Sequence, residues 1–192
     1  TTITCITPAH SAGAVNVIVT TVGGSSGAFS SFTYITPPNI TDILPSSGST
    51  LGGTNVTITG TNFTGATLVT FGGIAATTIN VVNSTTVTCI TPARISAGAV
   101  GIIVTTGGGP SGTFLSFAYI TPPNITSILS SSGSTAGGTN VTIRGTNFTG
   151  ATLVTFGGIA ATTISVVNST TITCITPARI TAGAVGIIVT TG

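Results

Sequence analysis

Apolar and polar residues alternate along most of this chain with a period of two. In residues 55–59, and again in 86–89 and 115–119, the apolar side chains fall on one face of the segment. This period is typical of a β-strand with one buried face. Residues 68–71 and 100–104 are more continuously apolar, which predicts more fully buried strands. No stretch shows the period of an amphipathic helix.

Clusters of small, turn-forming residues separate these strands. They lie at residues 46–49, 52–53, 72–73, 83–84 and 107–109. Short strands punctuated by turns at such regular spacing predict an antiparallel β-sandwich. Threonine, valine and isoleucine are stiff at χ1 and prefer strands to helices. We therefore predict an all-β protein of sandwich domains with about seven strands each.

The sequence is internally repeated. Residues 37–107 align with residues 122–192 at an offset of 85 and differ at seven of 71 positions. Residues 1–36 repeat residues 85–121 with one deletion. A unit of this length is typical of a small independent domain. Three domains are predicted. Residues 1–36 are the C-terminal part of a repeat, residues 37–121 are a complete repeat, and residues 122–192 are a repeat that lacks its last strand.

Two of the seven differences bear on the strand assignment. Thr59 is replaced by Arg144 at a position that the alternation predicts to face outward. Val87 is replaced by Ile172 at a position that it predicts to face inward. A polar exchange on the surface and an apolar exchange in the core are what a sandwich tolerates, so both differences favour the predicted strands.

The order of motifs resembles the IPT/TIG domain family. The motifs are PNITDILPSSGS at residues 38–49, GGTNVTITGTNF at 52–63, VTFGG at 69–73 and TCITPA at 88–93, and they recur in the second copy. The resemblance implies immunoglobulin-like sandwiches arranged end to end. Members of the family occur in receptor ectodomains, in repetitive surface proteins and in transcription factors that contact DNA through basic residues. This chain lacks such residues, so the resemblance implies an extracellular module.

Charged residues are almost absent. The 192 residues include three of Lys or Arg, one of Asp or Glu and one His, whereas 44 are threonine and 19 are serine. Paired-carboxylate catalysis, a carboxylate-rich metal site and a basic nucleic-acid footprint all need residues that this chain lacks. His10 has no carboxylate in its own unit to orient it, because Asp42 lies in another. We predict no enzyme activity, no metal or cofactor and no nucleic-acid partner.

Eight of the ten asparagines begin an Asn-x-Thr sequon, the acceptor sequence for N-linked glycans. The alternative is that asparagine lies in turns and threonine in strands for conformational reasons alone. A nearly uncharged surface has little electrostatic repulsion, and glycans would supply a hydrated coat instead. Asn62 and Asn83, beside turns, are stronger candidates than Asn55, which opens a strand. The candidate glycosylation sites are Asn39, Asn55, Asn62, Asn83, Asn124, Asn140, Asn147 and Asn168.

Each unit carries one cysteine: Cys5, Cys89 or Cys174. Equivalent positions in successive domains lie a domain length apart, whereas the Cα atoms of a disulfide come within roughly 7 Å. Cys89 shares the inward face with Val87, so we predict a buried free thiol at all three positions. An intermolecular disulfide is the alternative.

The longest apolar runs, such as residues 99–104, are far shorter than the roughly 18 residues of a spanning helix, so we predict no membrane insertion within this segment. The first residues have neither an initiator methionine nor a charged leader. We therefore expect a window on a longer repeat array. The alternative is that neighbouring chains complete each other by strand addition.

Together these features favour a structural, non-catalytic protein of an extracellular fibre or cell-surface stalk, with covalent N-linked glycans and no cofactor. Its predicted partners are copies of itself, joined head-to-tail or as a long tandem array. Pro122 and Pro123 stiffen the link between near-identical units, which favours a rod. The alternative function is an adhesin or receptor-ectodomain module that binds a glycan or a protein through anchors in its loops.

Overall fold

The computed structural model describes residues 1–191 and every side chain among them except that of Ser31. It divides into two compact units, one formed by Thr1–Ile120 and one that begins at Thr121. Within the described residues all regular secondary structure is β-strand, which confirms the predicted all-β class.

The first unit opens with four strands and continues with the ten strands of the complete repeat. The four are β1 (Gly13–Val17), β2 (Thr20–Thr21), β3 (Gly24–Ser25) and β4 (Phe29–Tyr34). The ten are β5 (Asn39–Leu44), β6 (Ser47–Ser49), β7 (Asn55–Thr61), β8 (Leu68–Phe71), β9 (Ile74–Ala75), β10 (Thr77–Asn83), β11 (Thr86–Ile90), β12 (Gly98–Thr106), β13 (Gly109–Pro110) and β14 (Phe114–Ile120). Seven of these ten have four or more residues, as the sequence predicts.

Two sheets form the sandwich of the complete repeat. In one sheet the strand order is β10-β11-β7-β5, and all neighbours are antiparallel. In the other the order is β6-β14-β12-β8-β9, with β13 attached to β12. Strand β6 runs parallel to β14, and the other pairs of this sheet are antiparallel. β10 and β5 therefore form the two edges of the first sheet.

Alternating side chains of both sheets meet in one core. On β7 Val56 and Ile58 are buried, and on the opposite sheet Phe71 and Phe117 are buried against each other, with ring centroids 5.1 Å apart. Complete burial of such a side chain stabilises the fold by about 1.5–3 kcal/mol. The core contains Ile40, Ile43, Val56, Ile58, Phe63, Val69, Phe71, Ala76, Val87, Cys89, Val100, Ile102, Val104, Phe117 and Tyr119.

The substituted positions behave as the alternation predicts. Thr59 and Arg144 are exposed, whereas Val87 and Ile172 are fully buried. The first pair lies on the outer face of equivalent strands, and the second pair lies in equivalent cores. The predicted faces of these strands are thus confirmed.

The prediction of a more fully buried strand is wrong at 68–71 and confirmed at 100–104. Leu68 is 38% exposed beside the completely buried Val69. At 100–104 no residue is exposed, although Ile103 is less buried than Ile102 and Val104. Each sheet of a sandwich has one face toward solvent, so its strands alternate even where the outer residues are apolar.

Two further local predictions are wrong. The pattern predicts a turn at residues 46–49, but Ser47–Ser49 form strand β6, which pairs with the distant β14. The alternation places Leu115 on the inward face with Phe117, but Leu115 is 74% exposed. The register between β12 and β14 shifts beside Ser116, because Val100 faces Phe117 while Gly101 faces Leu115. Such a bulge reverses the alternation.

The second unit repeats this architecture up to the strand equivalent to β12, except that residues 132–134, the equivalents of β6, form no strand. Its strands are β15 (Asn124–Leu129), β16 (Asn140–Thr146), β17 (Ala151–Phe156), β18 (Ile159–Ala160), β19 (Thr162–Asn168), β20 (Thr171–Ile175) and β21 (Ile187–Thr191). One sheet has the order β15-β16-β20-β19 and the other has β18-β17-β21. Its core includes Val141, Ile143, Phe148, Val154, Phe156 and Ile172.

Candidate functional site: the glycan-acceptor asparagines

All eight sequon asparagines are exposed, and equivalent ones occupy equivalent places in the two units. Asn39 and Asn124 begin β5 and β15, and Asn55 and Asn140 begin β7 and β16. The other four lie where strands end. They are Asn62 and Asn147, which follow β7 and β16, and Asn83 and Asn168, which close β10 and β19.

Three of the four sequons in the complete repeat gather at one end of a sheet. Asn39 pairs with Thr61, the residue before Asn62. The amide of Phe63, the residue after Asn62, donates to the carbonyl of Ser84, the residue after Asn83, at 2.9 Å. Asn55 lies at the other end of β7, where it pairs with Ile90. The end of the sheet beside Pro37 therefore holds most of the candidate acceptors.

Asn83 lies in the tight turn between β10 and β11, and its side chain is held by its own sequon. Its Oδ1 accepts hydrogen bonds from the backbone N–H of Thr85 at 2.8 Å and from the Thr85 hydroxyl at 2.9 Å. Asn168 and Thr170 repeat both bonds at 2.9 Å. This geometry is an Asx-turn. Because the amide is planar, its nitrogen lies on the side away from Thr85.

Asn62 has a different role in the structure. Its backbone is in the left-handed region, with φ of 60°, and its Nδ2 donates to the carbonyl of Pro37 at 3.2 Å. Asn147 has φ of 58° and donates to Pro122 at 3.1 Å. The side chain thus ties the end of β7 or β16 to the chain segment that enters the domain. Sequence reasoning missed this contact because its partners are 25 residues apart.

The sequons of Asn39 and Asn55 run along strands. Their middle residues, Ile40 and Val56, point into the core, with exposed fractions of 6% and 2%. The hydroxyl of Thr41 donates to the Thr59 carbonyl of the neighbouring strand at 3.2 Å. The middle residues of these two sequons are therefore not accessible from solvent in the folded domain.

Cys89 and Cys174 are buried free thiols, as predicted, but Cys5 is exposed. Cys89 is covered because β11 pairs with β7 and faces the core, and its burial raises the pKa of its thiol to about 12. Burial also raises the pKa of Cys174. Both thiols are therefore protonated at neutral pH and poorly nucleophilic. Residues 1–12 form no strand, so Cys5 has no such cover and the prediction of burial is wrong there.

Arg94 and Tyr119 connect the last strand of the complete repeat to the loop after β11. The Tyr119 hydroxyl donates to the Pro92 carbonyl at 2.8 Å, and the Arg94 guanidinium lies 5.5 Å from the centroid of the tyrosine ring. Nη1 of Arg94 donates to the Phe71 carbonyl at 3.1 Å. Arg94 is thus a structural residue that joins this loop to the end of β8.

The second unit holds an open cleft at the equivalent place. It has a volume of about 310 Å³ and is lined by residues that include Ile128, Phe156, Pro177, Arg179 and Val185. Arg179 keeps the bond equivalent to that of Arg94, from Nη1 to the Phe156 carbonyl at 3.0 Å. The cleft's lining residues Phe156, Pro177 and Arg179 are the equivalents of Phe71, Pro92 and Arg94, which contact Phe117 or Tyr119 of β14 in the complete repeat.

Groups that could bind a metal ion do not gather in the described part of the chain. It contains no cluster of three or more His, Cys, Asp or Glu side chains placed to hold one. The ring of His10 stacks on that of Tyr34, with centroids 5.0 Å apart. Within residues 1–191, no helix has the length and apolar character needed to cross a membrane.

The fold and the repetition define a tandem protein of immunoglobulin-like β-sandwiches. Residues 38–119 and 123–192 match the model of the IPT/TIG domain, and the chain belongs to this family, as its motifs predicted.

Longer proteins contain similar segments. The chain is 33% identical over 165 residues to fibrocystin-L of Mus musculus. The aligned region makes up 81% of this chain and 4% of the relative. It is similar to the solved extracellular region of plexin A4, with 25% identity, a TM-score of 0.47 and coverage of 81% of this chain and 17% of that one. It is also similar to a surface glycan-binding protein of Prevotella bryantii, with 20% identity and a TM-score of 0.36. The matched region covers 80% of this chain and 39% of that protein.

Proposed function

We propose that this chain is a structural, non-catalytic segment of an extracellular fibre or cell-surface stalk. In this proposal IPT/TIG sandwiches follow one another in line, head-to-tail between copies or within a longer array. N-linked glycans form their covalent coat, and no cofactor takes part. The observation that carries the proposal is the near-identity of consecutive domains, which presents the same surface at every step.

Exposed apolar side chains on the surface of the repeats support the proposed glycan coat. Val82, Ile95 and Leu44 are 54%, 107% and 72% exposed, and apolar residues at equivalent positions of the second unit are exposed too. With three of Lys or Arg and one of Asp or Glu in 192 residues, electrostatic repulsion between molecules is weak. Exposed apolar surface without repulsion favours association. Glycans on the exposed sequons would separate neighbouring molecules by their bulk and hydration.

Two features support joining in line. Pro37 and Pro38 begin the complete repeat, and Pro122 and Pro123 begin the next, so each link has restricted backbone torsions. The side chains of Asn62 and Asn147 also bind these links, through the carbonyls of Pro37 and Pro122. A link that is both stiff and bound at its domain end favours a fixed direction from one domain to the next.

Solution X-ray scattering of chains with increasing repeat number tests this proposal. We expect the maximum dimension to rise by a constant increment for each added 85-residue repeat, because stiff links keep the domains in line. The matched control replaces Pro122 and Pro123 with glycine, which should broaden the distance distribution without unfolding the domains. A maximum dimension that stops growing as repeats are added would contradict an in-line array.

A further inference from the structure

We propose that Asn83 and Asn168 are the sites at which the folded chain accepts N-linked sugar, and that the glycan covers the free edge of the sheet beside them. This inference rests on the proposed glycan coat and specifies its place. Asn62 and Asn147 also begin Asn-x-Thr sequons, but their side chains instead hold the chain segment that enters each domain by hydrogen bonds to the Pro37 and Pro122 carbonyls.

The accessibility of the whole sequon distinguishes the two sites. Asn83, Ser84 and Thr85 are all exposed, and so are residues 168–170. In every other sequon the middle residue is at least partly buried: Ile40, Val56, Phe63, Ile125, Val141 or Phe148. A transferase has to bind the three residues together, so the other six sites require local opening of the fold.

The turn presents the acceptor nitrogen in a fixed direction. Both hydrogen bonds to Oδ1 of Asn83 come from Thr85, and no described residue accepts a hydrogen bond from Nδ2. The turn itself is anchored, since Gly60 donates to the Thr85 carbonyl at 3.0 Å and Phe63 donates to the Ser84 carbonyl at 2.9 Å. The nitrogen therefore faces solvent without the entropic cost of ordering a flexible loop.

Nδ2 of Asn62 is already engaged. It lies 3.2 Å from the Pro37 carbonyl oxygen, and in the second unit Nδ2 of Asn147 lies 3.1 Å from that of Pro122. A sugar on this nitrogen has to share its space with the link. The residue after Asn62 is Phe63, whose side chain is fully buried, so the sequon cannot be lifted without exposing the core.

A glycan on Asn83 would lie at the end of an exposed edge strand. Asn83 closes β10, which is an edge strand, and the preceding Val82 is 54% exposed. In the second unit Asn168 closes the edge strand β19, and Val167 is 59% exposed. An exposed apolar edge strand is a template for pairing between molecules. A glycan at its end blocks the approach of a second edge.

The modification is a glycosyl transfer from an activated donor. Nδ2 of the asparagine forms a bond to the anomeric carbon of a sugar carried on a diphosphate. The bond from that carbon to the phosphate oxygen breaks, and the diphosphate leaves with the electron pair. Nδ2 gives up one proton to a base of the transferase. The donor and the transferase come from the cell, and this chain supplies the acceptor.

The test uses the full chain, produced without glycans, folded, and diluted until light scattering shows that it is dispersed. A soluble N-glycosyltransferase that recognises Asn-x-Ser/Thr is supplied with a nucleotide-diphosphate hexose, and peptide mass spectrometry follows each sequon with time. Synthetic peptides of the same sequons give the intrinsic rate of each sequence. We expect Asn83 and Asn168, after division by these rates, to react at least about tenfold faster than the other six, which wait for local opening.

Two pairs of variants complete the test. Asn83→Gln with Asn168→Gln should remove most of the early hexose transfer, whereas the matched pair Asn39→Gln with Asn124→Gln should leave it unchanged. Equal corrected rates at all sequons, faster transfer to Asn62 and Asn147, or no transfer to Asn83 and Asn168 while their peptides react would overturn the inference. Glycopeptide analysis of the protein from its natural source distinguishes a failure of this site assignment from a failure of the proposed glycan coat. Glycans only at other sequons refute the site assignment, and none at any sequon refutes the coat.

Discussion

Replacing Gly60 with alanine is expected to destabilise the complete repeat severely. A methyl group at this position would overlap the carbonyl oxygen of Asn39 on the paired strand β5, and it would lie 2.6 Å from Cζ of the buried Phe63. Neither neighbour can move away without separating β5 from β7 or disturbing the core. Overpacking of this kind lowers the free energy of unfolding by about 3 kcal/mol, which corresponds to a fall in Tm of roughly 10–20 °C for a domain of this size.

Differential scanning calorimetry of the full chain measures this effect, and Gly112→Ala is the matched control. Gly112 is exposed, and a methyl group there would meet no other atom within 4 Å, so the free energy of unfolding should change by less than about 0.5 kcal/mol. Gly145→Ala should act on the second unit as Gly60→Ala acts on the first, because its methyl group meets Asn124 and Phe148. Equal transitions for Gly60→Ala and Gly112→Ala would contradict the pairing of β5 with β7.

Replacing Phe117 with alanine is expected to have an effect of similar size, because this ring lies at the centre of the core. Its exposed fraction is 1%, and its ring packs edge-on against Phe71 and Tyr119, with centroids 5.1 and 5.2 Å away. The substitution leaves a cavity between the two sheets. Such a loss lowers the free energy of unfolding by about 3–5 kcal/mol, measurable by urea denaturation.

Leu115→Ala on the same strand is the control for this prediction. The bulge at Ser116 turns Leu115 outward, so its truncation should cost less than about 0.5 kcal/mol. If Leu115→Ala instead destabilises the repeat as strongly as Phe117→Ala, the simple alternation holds and the bulge is absent.

The sequence predicts most of the strand pattern because burial repeats locally. Val56, Ile58 and Val87 alternate with threonine, and their faces follow from the period alone. The bulge at Ser116 breaks that period through the register with β12, which no local pattern contains. Strand β6 was missed for the same reason, because its residues are turn-formers locally and become a strand only by pairing with β14.

The candidate sites are predictable as a set, but their differences are not. The eight sequons are visible in the sequence, and the turn at Asn83 follows from the residues around it. The engagement of Asn62 depends on Pro37, which the fold brings close from 25 residues away. The exposure of Cys5 has a similar cause. Cys89 is covered because its strand pairs with β7, whereas residues 1–12 form no strand and leave Cys5 exposed.

The most direct test of the account is light scattering of the glycosylated chain before and after an endoglycosidase, under native conditions, removes all but the first sugar of each glycan and leaves every asparagine side chain an uncharged amide. The chain is secreted from a host that performs N-glycosylation, and peptide mass spectrometry verifies which asparagines carried sugar. We expect a dispersed chain that associates once the glycans are trimmed, because apolar edges and an uncharged surface then meet. Unmodified asparagines on a chain that stays dispersed at all concentrations would contradict the account.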